Sequence, residues 1–132
     1  MTNPTDMKGK GICVTGAGII SALGTGKQTT LEALKNQQSG VAPLRYLTTS
    51  HTEFPVGEVK YSNQEMKQML HFAATDAVVR SALLGIIAIK ETLAQANLEN
   101  RQPALRLAFI SGITVGGMDQ AELHYHDFLE ND

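Results

Sequence analysis

Between Phe72 and Ala96 the apolar residues Phe72, Ala77, Val78, Val79, Ala82, Leu83, Leu84, Ile86, Ile87, Ile89 and Leu93 occupy every side of a helical wheel. A helix lying on a surface keeps a polar stripe, so apolarity all round marks the middle of a large structure or a membrane span. Asp76 and Arg80 oppose the membrane reading, and no apolar stretch reaches about 18 residues. The segment therefore predicts a helix buried between layers. Two short apolar runs elsewhere in the chain make too small a sheet to cover it.

The first run is Ile12, Cys13 and Val14, ended by Gly16 and Gly18; the second is LRLAFI, Leu105 to Ile110, followed by glycines 112, 116 and 117. Continuous apolar runs bounded by glycine suit strands covered on both faces, as in parallel sheets. Thr25 and Gln28 have the spacing of a capping box, which predicts a helix from there to about Gln38, with Gly40 as its left-handed end. Pro43 and Pro55 mark residues 41–61 as a surface loop with a short extended piece at 56–60. Ser62 and Glu65 repeat the capping-box spacing and open a helical region that either breaks near Leu70 or continues into the apolar helix, which Asn97 can end. Met118, Ala121, Tyr125, Phe128 and Leu129 recur at helical spacing and predict a last helix. The pattern is βαβ, an α/β chain with residues 1–10 as a flexible lead-in and 11–132 as one incomplete domain.

Composition narrows the functional classes. Hydrophobic residues at 42% against 18% charged residues predict a globular chain. Eleven basic and thirteen acidic residues, a net charge of -2, lack the excess that phosphate-backbone binding requires, so nucleic acid is not an expected partner. The polar start, Met1 to Lys10, has no signal-peptide core, and a cytoplasmic protein without membrane association is expected. A single cysteine, Cys13, forms no internal disulfide; inside the first apolar run it reads as a buried structural thiol.

Several motifs come close to chemistry. GAGIIS, residues 16–21, has the setting of a dinucleotide fingerprint, but serine stands third and no acidic residue ends a second strand about 20 residues on. SALGTGKQ, residues 21–28, resembles a phosphate loop with Ser for its first glycine and Gln for the magnesium-binding hydroxyl. A glycine turn that lets strand and helix pack closely explains both. His124 and His126 lie two apart and face nearly opposite ways on a helix, so His126 with Glu122 or Glu130 would chelate better, and a solvated face is the expectation. No nucleophile and base pair, metal cluster or cofactor loop is complete.

Taken in order, VTGAGIISALG at 14–24, QSGV at 38–41, GEV at 57–59, the apolar helix ending AQANL at 94–98, and FISGITVGGM at 109–118 resemble the N-terminal region of β-ketoacyl synthases. The resemblance spans nearly the whole chain, with a departure around residues 70–76, LHFAATD, which lack the arrangement of basic and aspartate residues often seen where the central helix begins. It implies the N-terminal part of a thiolase-like α-β-α-β-α layered fold, with the apolar helix in its central layer. Family members of fatty-acid or polyketide type condense an acyl thioester, carried on a cysteine, with malonyl-acyl carrier protein by decarboxylative Claisen condensation. Two histidines assist, and the enzymes act as homodimers. Those catalytic residues are expected past Asp132, so the resemblance carries no catalytic residue onto this chain, which is expected to be inactive alone. The turn after the second strand implies acyl-pocket contacts for Thr114, Val115, Gly116 and Met118. A catalytically silent, chain-length-setting partner of a synthase shares every feature visible here. A small nucleotide-binding domain is a further alternative, resting on the glycine turn.

Overall fold

The computed structural model describes residues 11–98 and 106–131. In chain order these form a hairpin of β1 (Ile20–Ser21) and β2 (Gly24–Thr25), then helices α1 (Lys27–Lys35), α2 (Asn63–Leu70), α3 (Arg80–Gln95) and α4 (Met118–Asn131). The architecture is mixed α/β. Residues 1–10, expected as a lead-in, and Leu105 of the second apolar run lie outside the described residues.

Helix boundaries follow local chemistry. At the start of α2 the Ser62 hydroxyl accepts from the Glu65 N–H at 3.2 Å while the Glu65 carboxylate accepts from the Ser62 N–H at 2.7 Å, the reciprocal box its sequence predicts. His71 then enters the left-handed region at φ 62 and α2 ends there. Residues 72–79, expected to be helical, are not. Asp76 accepts the Ala73 N–H on its carboxylate, at 2.7 Å, and donates its own N–H to the Ala73 carbonyl, closing a local turn that competes with helix. Two β-branched residues, Val78 and Val79, follow, and helix resumes only at Arg80. The far end of α3 agrees with expectation: Asn97 is left-handed at φ 55, with its N–H bonded to Ala94 and that of Leu98 to Leu93.

α1 departs from its expected caps. Thr25 lies in β2 rather than at the cap, and Gly26, with no side chain to offer, takes the cap position. The left-handed residue at the other end is Gln37, at φ 54, rather than Gly40. Gln37→Gly removes the Cβ penalty at such a position and is expected to raise stability by about 0.5–1 kcal/mol, read as a higher melting temperature. An unchanged or lower value would contradict this geometry.

Neither expected strand forms among the described residues. Residues 12–14 and 106–110 have no ladder partner and are not strands. Ile12 is 92% exposed, Val14 88% and Ile110 94%. Cys13 is exposed, not buried. A strand is stable only when neighbours satisfy its backbone and cover its faces, and nothing among the described residues does so. Among the described residues, apart from the hairpin, a single bridge, Ala42 to Val56, joins extended segments, within the region where a short extended piece was expected.

What core there is lies where α2 meets α3, with Met66 and Leu83 fully buried, and under α1, where Ala33 and Thr30 are buried. The chain's accessible surface is 10875 Å², whereas a compact monomer of 14.2 kDa exposes about 6,800 Å². Along α3, Leu84, Ile86, Ile87 and Ile89 are only half-buried. The helix apolar on every side is thus present over residues 80–95 and incompletely covered.

Candidate functional site

Glycines 16 and 18 let the segment preceding β1 press against α3. A Cβ on Gly18 would meet the Ala88 carbonyl oxygen, and one on Gly16 the Thr92 carbonyl oxygen. Two side chains of α3 then fix the segment by its backbone. Gln95 Oε1 accepts the Ala17 N–H at 2.8 Å, and the Glu91 carboxylate accepts the N–H groups of Ile19 at 2.9 Å and Lys27 at 2.6 Å. Lys27 is the first residue of α1, so Glu91 supplies from α3 the anion that the uncapped helix end favours.

This arrangement bears on the nucleotide alternative. A nucleotide phosphate would need the same backbone donors, and Glu91 already holds two of them with a negative charge. The glycines serve close packing, as expected from the imperfect motifs.

Bonds from the Lys27 and Ile19 N–H groups, aided by the Lys27 charge, hold the Glu91 carboxyl below its ordinary value of 4.5. A carboxyl lowered in this way contributes stability above its unfolded pKa and loses it as pH falls through the folded one. Acidification below the ordinary carboxylate range is therefore expected to speed amide exchange at Ile19 and Lys27. Glu91→Gln should abolish that acid step; an identical step in the variant would contradict the assignment.

A groove of about 690 Å³ lies between residues 46–48, the start of α2, Arg80 and one side of α4. Leu47, Met118 and Leu123 supply its apolar lining, with Glu58, Asn63, Arg80 and Glu122 among its polar groups. Most of that polarity is committed to architecture. Glu58 accepts the N–H groups of Arg45, Tyr46 and Leu47 at 2.8 to 3.2 Å. Partial burial pushes its carboxyl up, but these bonds and the Arg80 charge outweigh burial and leave it below the ordinary value. Arg80 donates to the Tyr61 and Val59 carbonyls at 2.9 and 3.1 Å and to Asn63 Oδ1 at 2.8 Å, tying α3 to the chain before α2. Ser62 is engaged in the capping box. The groove sets a small apolar wall beside polar groups already engaged, and its hydroxyl next to a carboxylate, Ser62 donating to Glu65 at 2.7 Å, belongs to the α2 capping box.

Of the residues the resemblance places at an acyl pocket, Met118 lines this groove, whereas Thr114, Val115 and Gly116 lie in an exposed bend outside it. Gly117, with φ 76, makes the turn into α4. Sequence reasoning missed Glu58 and Arg80, whose partners lie across loops, and Glu91, whose partners are main-chain groups more than sixty residues away. No group of three His, Cys, Asp or Glu side chains able to hold a metal occurs among the described residues. His51 pairs with Glu53 at 3.3 Å and His124 with Asp127 at 3.8 Å, all on the surface. Among the described residues no helix is long and apolar enough to cross a membrane. Compared with protein-family models, with curated proteins and with solved structures, the chain matches none.

Proposed function

We propose that this chain is the N-terminal part of a β-ketoacyl synthase of thiolase-like fold, contributing a central-layer helix and part of an acyl pocket to a condensing enzyme. The observation that carries the reading is a coincidence of two independent features. Residues 12–14 and 107–110, within the segments the resemblance assigns to a buried sheet, are apolar and uncovered among the described residues. α3, assigned to the central layer, is half-covered in the same way. Uncovered apolar surface on this scale marks a surface that another part of a structure covers.

In this reading the whole enzyme is a cytoplasmic homodimer that joins an acyl thioester to malonyl-acyl carrier protein with loss of carbon dioxide, in fatty-acid or polyketide synthesis. Its nucleophilic cysteine and two histidines belong to the remainder of the enzyme. This chain needs no cofactor for its share. Met118 and the bend at Thr114, Val115 and Gly116 would meet the acyl chain once the covering half is in place.

Complementation tests it. The chain is co-expressed with the catalytic remainder of a β-ketoacyl synthase, and the product is assayed for covalent acylation by acyl-acyl carrier protein and for carbon dioxide release from malonyl-acyl carrier protein. Co-purification with activity that neither part shows alone is expected. If the two parts stay separate and the pair forms no acyl-enzyme, the reading fails.

A further inference from the structure

Residues 45–47 keep their place through the backbone rather than through packing. Arg45, Tyr46 and Leu47 are all exposed, so side-chain burial does little to hold them. Their three consecutive N–H groups converge instead on one carboxylate. Glu58 Oε2 accepts from Arg45 at 2.8 Å, Oε1 accepts from Leu47 at 2.8 Å, and both oxygens share the Tyr46 N–H at 3.1 and 3.2 Å. Successive N–H groups pointing one way form a concavity suited to an anion, and bonds to a charged acceptor are the stronger kind. The Tyr46 hydroxyl adds a bond to the Lys60 carbonyl at 3.1 Å, and the Ala42 to Val56 bridge closes the loop beyond the strip.

The strip stands between two hollows. On one side lies the groove of about 690 Å³; on the other is a second hollow of about 310 Å³, with Leu44, Val56, Val59 and Leu84 as its aliphatic lining. Leu47, Glu58 and Arg80 line both and so form the partition. Arg80 is fixed to the Val59 and Tyr61 carbonyls and to Asn63. Leu47 and its neighbours are the part of the partition that one carboxylate holds.

We propose that Glu58 is a latch: while its carboxylate is charged, residues 45–47 separate the groove from the aliphatic hollow, and neutralising it frees them and joins the two. The inference rests on this loop and not on the synthase reading.

The charged groups around the latch set its sense. Arg80 approaches from α3, Glu122 of α4 lines the same groove, and α2 presents the uncharged Ser62 and Asn63. On its own stretch, Arg45 adjoins Tyr46, and Lys60 donates to the Gly40 carbonyl at 3.2 Å. Partial burial raises the Glu58 carboxyl, but the three N–H bonds and Arg80 hold it below its ordinary value of 4.5. The hold is therefore complete above the ordinary carboxylate range and is lost as pH falls through the lower folded value.

Residue-resolved amide exchange and methyl resonances of the whole 132-residue chain, followed against pH, test it. In the native chain, acidification is expected to lower protection at Arg45, Tyr46 and Leu47 together by at least about tenfold and to shift the Leu84 methyl resonances, while amides around Leu83 stay protected. Glu58→Gln should show the released state at neutral pH, with no acid step left in the strip. Glu53→Gln, which removes an exposed carboxylate at the tip of the same loop, should keep the native profile. Strip protection in Glu58→Gln equal to that of the native chain would overturn the proposal. So would an acid step that persists in that variant, or release without any change at Leu84.

Discussion

Leu83→Ala is expected to remove about 3 kcal/mol and with it most of the cooperative unfolding of α2 and α3. Leu83 is fully buried, and only Met66 shares that state among the described residues. Truncating a buried leucine loses its transfer free energy and leaves a cavity, which together amount to about 2–5 kcal/mol. In a core this small such a loss is a large share of the total. Urea unfolding followed by circular dichroism measures it. Ile86→Ala, at a half-buried position on the same helix, is the internal comparison and should cost clearly less. Equal midpoints for the two variants would mean that the core does not lie between α2 and α3.

Gly18→Ala is expected to detach the glycine segment from α3. Its φ is not in the left-handed region, so the cost is contact rather than backbone strain: the added carbon lands on the Ala88 carbonyl and 2.8 Å from Thr92 Oγ1. Relief requires the segment to move outward, and that breaks the bonds from Ala17 and Ile19 to Gln95 and Glu91. Overpacking costs about 1–3 kcal/mol, and loss of hydrogen bonds to a charged acceptor adds to it. Gly11→Ala, with nothing within 4 Å of the added carbon, should be neutral. Amide exchange at Ile19 reads the difference. A Gly18→Ala variant with native protection there would show that the close approach is not real.

Local signals proved the most legible in the sequence. Ser62 with Glu65 announces α2, and Asn97 ends α3, because each acts through bonds to residues no more than five positions away. The spacing of Tyr125, Phe128 and Leu129 likewise gives α4. Signals that depend on distant neighbours failed. An apolar run such as residues 12–14 reads as a strand only if a partner strand is supplied, and among the described residues none is. The turn at Asp76 was hidden because periodicity counts apolar positions and takes no account of a carboxylate bonding back to the Ala73 N–H. Thr25 and Gln28 have cap spacing, yet the hairpin claims Thr25 and Glu91 serves the helix end from across the structure. The groove was legible only in Met118, since its other components converge from separate stretches of chain between residues 46 and 123.

The central claim is that apolar segments 12–14 and 106–110 lie uncovered beside a small α2/α3 core. Residue-resolved amide hydrogen exchange of the isolated chain, with a hydrophobic dye as a second readout, tests it most directly. Exchange of residues 12–14 and 106–110 at near-intrinsic rates is expected, alongside protected amides around Leu83 and strong dye binding. Protection of both segments in a monodisperse monomer of 14.2 kDa that binds no dye would contradict it.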